Sequence, residues 1–398
     1  MSKTKAIILL TVFIDVIGLG IVIPILPFYV SSFTNSALLV TSLFAAYALC
    51  SFFSAPVIGA LSDRVGRRPM LIMSIFSTAV GWFVFAGATN IIFLFIGRIL
   101  DGIMAGNFPI AQGYLSDIAK NDKERTANLG LIGGVFGIGF ILGPFLGGVL
   151  GQFGHAVPFW CVGALALFNG ILALFILPET HTVLSTKAIS INPFTPLIRA
   201  IKNTALRNNY LAWFLFGLAI ASQQAIFSLY LRDIFKFDEL MGGIIFGLIG
   251  LVIALNQGLA MKNLWLKYFK EPALELGTLI IFALGFLLLT SKLFFIFCIA
   301  LLLTTFGQSI LRVVMTSQVV GQSPPAQRGE VLGIMSSIVS LSMMIGPFLA
   351  GFMYEKYRAL PFLFGFLCLS LAFFFLYQKR RDLEKMKLPE DVTIESMI

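Results

Sequence analysis

The stretch GALSDRVGRRP, residues 59–69, lies between two apolar runs that are each long enough to cross a bilayer. Four of its eleven residues are charged, Asp63, Arg64, Arg67 and Arg68, while Gly59 and Gly66 permit close helix packing or a positive φ. A soluble turn needs none of that. Between two spans, fixed charges of both signs point to a loop that does more than reverse the chain.

Composition extends this reading to the whole molecule. Of 398 residues 58% are hydrophobic and only 12% charged, against about 25% charged in an ordinary soluble domain. Apolar windows of about 20 residues, the length that crosses a hydrocarbon core, recur at 6–30, 38–62, 70–88, 91–117, 128–152, 158–177, 209–233, 239–262, 272–290, 293–320, 329–353 and 359–377. Backbone groups in lipid must be bonded within their own segment, and the alternation of a barrel is absent, so these runs predict twelve transmembrane helices. The expected class is an all-α integral membrane protein.

With both termini inside, the cytoplasmic segments hold 21 of the 28 basic residues, in keeping with the positive-inside rule. The net charge of +9 is thus a topology signal and not a nucleic-acid footprint. The first run carries Asp15 and lacks a signal-like cleavage site, so it is expected to be retained. Cys50, Cys161, Cys298 and Cys368 fall inside spans, which argues against structural disulfides. His155 and His181 stand at loop edges and do not suggest a metal site.

Residues 178–208 divide the spans six and six, as a linker in which Phe194, Leu197, Ile198 and Ile201 recur at helical spacing. The expected organisation is a bundle over 1–177, the linker over 178–208, a second bundle over 209–377 and a cytoplasmic tail over 378–398. The halves repeat: 124–148 aligns without a gap to 327–351, pairing Arg125 with Arg328, Gly130 with Gly333, and GPFL at 143–146 with GPFL at 346–349. Two pseudo-symmetric six-helix bundles follow, with a ligand site expected between them.

Span 5 carries Gly130, Gly139, Gly143, Pro144, Gly147 and Gly148, small residues for close contact with a proline that can bend the helix. The charged turn resembles the signature loop between helices 2 and 3 of the major facilitator superfamily. The span 5 spacing resembles that superfamily's antiporter motif, and DVIGLGIVIPILP at 15–27, IGRILDGIMAG at 96–106 and PET at 178–180 resemble bacterial tetracycline/proton antiporters and their multidrug relatives. The resemblance implies proton-driven export of a small amphipathic compound, and for Gly59, Asp63, Arg64, Gly66, Arg67 and Arg68 a role in gating. It departs from the tetracycline pattern in having no mid-membrane acid in spans 3 and 9. The counterpart of the charged turn, around 258–267, has no Asp.

Charges inside spans cost at least about 2.5 kcal/mol each, so each calls for a partner or a purpose. The deep ones are Asp15, Arg98, Asp101 and Arg312. A proton-coupled carrier needs an acid that is loaded from one side and unloaded to the other, for which Asp15 and Asp101 are the candidates and Arg98 their counter-charge. Arg98, Asp101, Ala105, Pro109 and Gln112 share one predicted helix face. Gln223, Gln224, Asn256, Gln308 and Arg312 are further polar positions for a substrate cavity.

The reading is a proton-coupled transporter that exports small molecules by alternating access, functional as a monomer in the bacterial inner membrane. It needs no cofactor or metal beyond the proton gradient, and no nucleic-acid partner. Two alternatives stand beside it: a proton symporter importing a nutrient, organic anion or siderophore, and a non-transporting membrane sensor. An enzyme is not expected, because no nucleotide loop, metal cluster or nucleophile–histidine pair occurs in the spans.

Overall fold

A computed structural model describes residues 3–180, 192–324 and 327–387. Twelve helices are long and apolar enough to span a membrane, numbered here in chain order: Lys3–Ser31, Ala37–Val65, Arg67–Ala86, Ile91–Asp117, Lys123–Gly151, Val157–Ile176, Arg207–Phe235, Glu239–Tyr268, Glu271–Leu288, Phe294–Gly321, Arg328–Lys356 and Leu360–Arg381. All twelve expected spans are present. The linker forms the short helix Thr195–Lys202, with Ile198 and Ile201 exposed; residues 181–191, His181 among them, and the tail from 388 onward lie outside the described residues.

Two spans depart from the sequence reading. Span 4 is not one helix but two, Ile91–Ile103 and Asn107–Asp117. Pro109 has no amide to give the carbonyl of residue 105, and Ser74 of span 3 re-satisfies the break: its hydroxyl donates to the Met104 carbonyl and accepts from the Gly106 amide at 3.2 Å. The single polar face expected from Arg98 to Gln112 is therefore split. Span 8 runs beyond its expected end as a π-helix, Asn256–Trp265, and a last turn to Tyr268. The stretch 258–267 is thus helix and not a second charged turn; the Trp265 indole bonds back to Asn256 Oδ1 at 2.7 Å and holds the wide coil.

The chain forms two compact units that cut across its halves. One comprises residues 1–194, 221–255 and 343–361; the other comprises 195–220, 256–342 and 362–398. In the first, spans 1 to 6 are joined by the second half of span 7, the first part of span 8 and the second half of span 11. Its core gathers Ile8, Val12, Leu71, Ile75, Ile110, Tyr114 and Leu115 from spans 1, 3 and 4. In the second, spans 9 and 10 meet where Gly285 admits Thr304 and Gly307 admits Phe282, each so close that a methyl group would not fit.

Candidate functional site

Glycine contacts set the positions of the buried charges. Spans 3 and 4 touch at Gly81 and Gly97, where an added Cβ would meet opposing backbone oxygen at 3.0 and 2.8 Å. This approach turns Arg98 inward onto span 3, where its guanidinium lies 4.1 Å above the Trp82 ring and 4.9 Å from Phe85, with Tyr47 of span 2 at 5.7 Å. Arg98 is 2% exposed and Asp101 7%; their ion pair spans 3.4 Å. Three aromatic rings and one carboxylate thus replace water around a buried cation.

Asp15 enters from span 1, half-buried, and accepts from Asn107 Nδ2 at 3.0 Å. The same amide nitrogen lies 3.2 Å from the Thr78 hydroxyl, which faces Asp101. Asn107 and Thr78 therefore bridge the two acids, and the break in span 4 is what brings Asn107 to Asp15. Neither bridging residue stood out in the sequence. The bridge depends on a helix break whose only sequence signal is Gly106 followed by Pro109.

The charged turn is built around Arg67. Its guanidinium pairs with Asp63 at 2.6 Å and Asp117 at 3.1 Å and donates to Ser62 Oγ at 2.6 Å, lying flat against span 4 because residue 113 is glycine. Glu179, from the PET stretch, accepts the Arg67 and Arg68 amides at 3.0 and 3.1 Å, capping the start of span 3. Arg68 reaches the Leu174 carbonyl of span 6 at 2.7 Å, and Arg64 stands in the last turn of span 2.

Gly66 has φ 114°, and a side chain there would collide with the Glu179 carboxylate. Gly66→Ala is expected to cost about 1–3 kcal/mol, read as a lower melting temperature of the purified protein. Gly59→Ala, whose methyl would meet Pro109 at an ordinary 3.6 Å, is expected to leave it unchanged. Gly59, Asp63, Arg67, Pro109 and Gln112 line one open groove.

The span 5 glycines divide by position. A Cβ on Gly139, Gly143 or Gly147 would press on Val16, Gly20 or Ile21 of span 1, and one on Gly148 on Gly243 and the Glu239 carbonyl of span 8; Gly130 has nothing within 4 Å. Pro144 packs its ring on Gly20, and its carbonyl faces Gly243. The repeat is visible here: Gly346 of span 11 rests on Ala221 and Ser222 of span 7 as Gly143 does on Ile17 and Gly20 of span 1.

The end of this unit opposite the charged turn is sealed by polar contacts as well. Pro27 leaves the Ile23 carbonyl without its helical donor, and Ser228 of span 7 donates to it at 2.7 Å. Arg232 donates to the Pro27 carbonyl at 2.9 Å, Glu355 accepts the Leu38 amide at 3.0 Å, and His155 meets Glu239 at 2.6 Å.

The remaining polar positions fare differently. Asn256 is buried and engaged by both Ser309 and Trp265, an interhelical tie. Gln223, Gln224 and Gln308 are half-buried and Arg312 is exposed on its span. Among the described residues no three His, Cys, Asp or Glu side chains gather as a metal site.

Twelve spans in repeated halves, with charges buried in the spans and glycine seams between them, define a secondary transporter. The chain belongs to the Major Facilitator Superfamily, whose family model matches residues 8–266 and 265–393. It is 29% identical over 368 residues to the class E tetracycline resistance protein of Escherichia coli, covering 90% of this chain and 89% of that one. It is 27% identical to multidrug resistance protein 2 of Bacillus subtilis (strain 168), covering 92% of each. Among solved structures it is similar in fold to the human organic anion transporter MFSD10, with a TM-score of 0.69 at 23% identity over 94% of this chain and 100% of that one. A bacterial homologue of the lysosomal transporter Spinster gives a TM-score of 0.75 at 14% identity over 98% and 100%.

Proposed function

We propose that this protein exports small amphipathic compounds from the bacterial cytoplasm in exchange for protons, as a monomer with both termini inside. The observation that carries the reading is the cluster of half-buried Asp15 with buried Arg98 and Asp101, linked through Asn107 and Thr78. The names of the tetracycline-resistance and multidrug relatives support the direction.

The chemistry follows from counting charges. With both acids ionised the cluster carries one net negative charge, and one bound proton makes it neutral. A net charge is costly in a closed, water-poor interior, whereas a compensated pair is tolerated. Proton binding therefore permits closure, and proton release follows reopening on the other side. If Asp101 takes the proton, Arg98 keeps its aromatic cage and its field turns to Asp15, so the two acids trade the same counter-charge.

The residue ranges 1–177 and 209–377 act as the two rocking halves, joined by the linker at 178–208, with 378–398 as a cytoplasmic tail. The turn residues Asp63, Arg64, Arg67 and Arg68 form the inner gate. The span 5 seam from Gly139 to Gly148 is the outer one, and Gln112, Gln223, Gln224 and Gln308 line the path. No cofactor is assigned; the gradient supplies the energy.

The test is dye accumulation in bacteria stripped of their own exporters. Cells making the protein are expected to hold several-fold less of at least one lipophilic compound, with a protonophore restoring the level. Unchanged levels across a panel of cations, antibiotics and anions, or an increase in one of them, would sink the export reading.

A further inference from the structure

Span 10 has four faces, and three are accounted for. Gly307 and Thr304 pack against Phe282 and Gly285 of span 9. Ser309 meets Asn256 and Gln257 of span 8. Phe295, Leu302 and Phe306 are exposed, as lipid-facing side chains are. The fourth face carries Leu301, Gln308 and Arg312, which lie within about 40° of one another at about 100° per residue and about 100° from the lipid-facing row, while Thr305 among them is buried and bonded to the Leu301 carbonyl at 2.7 Å.

Arg312 is exposed on this face, and among the described residues it forms no ion pair. The carboxylates described in its own unit are committed elsewhere. Glu275 pairs with Arg380 at 2.9 Å, Glu330 with Arg199 at 2.7 Å, and Glu271 accepts from Ser317 and Gln318 at 3.0 and 2.9 Å. The Gln308 side chain, one turn earlier, likewise makes no hydrogen bond among the described residues. An uncompensated cation inside a span is costly by at least about 2.5 kcal/mol, and the face it occupies is turned about 100° from the lipid-facing row.

We propose that Arg312, assisted by Gln308, is a binding site for the anionic group of an amphipathic substrate, a carboxylate above all. A guanidinium offers a planar fork that matches two carboxylate oxygens, and the Gln308 amide one turn away supplies a further donor. The site rests on the transporter reading for its purpose, and it narrows the substrate class to compounds with an apolar body and one acidic group. It assigns Arg312 a task separate from the proton cluster, which already holds its own arginine.

The test is binding of pyrenebutyrate and of its methyl ester to the full-length protein in nanodiscs, read by energy transfer from tryptophan. Wild type is expected to bind the acid at least tenfold more tightly than the ester. Arg312→Gln is expected to lose that preference while binding the ester as wild type does, and Arg312→Lys to keep part of it. Equal affinities for acid and ester in wild type, or a preference that survives in Arg312→Gln, would overturn the site. An Arg312-dependent signal from pyrene-labelled phosphatidylglycerol with none from pyrenebutyrate would assign the arginine to lipid headgroups and overturn it too. Acid-selective binding beside a failed dye-export assay would retain this site and discard the export reading alone.

Discussion

An Asp101→Leu variant is expected to lose about 3–5 kcal/mol of stability, while Asp101→Asn loses less and is uncoupled. Arg98 is 2% exposed, and Asp101 is its only ion-pair partner among the described residues. Taking the partner of a buried pair away costs about 3–5 kcal/mol, because the remaining charge is left uncompensated, and that is a large share of the 5–15 kcal/mol typical of a folded protein. Trp82, Phe85 and Tyr47 still face the cation, and such contacts are worth about 2 kcal/mol when desolvated, so the loss should fall short of complete unfolding.

Asparagine keeps the volume and still faces Thr78. It cannot carry a proton, so transport should fall to background in a protein less destabilised than Asp101→Leu, because the amide oxygen still offers Arg98 an acceptor. The double variant Arg98→Met with Asp101→Leu should recover much of the lost stability and none of the transport. Melting temperature and dye efflux, measured on the same preparations, separate these outcomes. Equal melting temperatures for Asp101→Leu and wild type would show that the pair does not carry the weight assigned to it.

The second large effect is expected at Gly143. A Cβ there would stand 3.0 Å from the Gly20 Cα and 3.0 Å from the Ile17 carbonyl. Both are backbone atoms and cannot rotate aside, so spans 1 and 5 would have to separate. Overpacking costs about 1–3 kcal/mol in ordinary cores, and a leucine against backbone belongs at the upper end. Gly143→Leu is expected to lower both expression and melting temperature markedly. Gly130→Leu, at a position with nothing within 4 Å, should leave both near wild type. A similar loss at both sites would mean that small residues matter along the whole helix and not at one seam.

Much of this was legible from the residues. Span number follows from apolar length alone, and the repeat between 124–148 and 327–351 survives as matching seams, Gly143 on span 1 and Gly346 on span 7. The charged turn could be read from its own residues, yet Arg67 proves its centre through Asp117 and Glu179, which lie 50 and 112 residues away, and nothing local announces such pairings. Span 4 has the expected ends, but its break could not be read, because a hydrophobic run gives length and not continuity. One proline and one serine on another span decide the break, and Asn107 reaches Asp15 only because of it. Asn256 shows the opposite limit. A polar residue in a span reads the same whether it awaits a substrate or ties two helices, and its two partners assign it to the tie.

The most direct measurement is proton movement in inverted membrane vesicles energised by respiration, as transported compounds are added to wild type, Asp15→Asn and Asp101→Asn. The account predicts that a substrate dissipates the pH gradient in wild-type vesicles and that Asp101→Asn abolishes the response. Export that continues at the wild-type rate in both variants, with the gradient equally discharged, would contradict a proton path through this cluster.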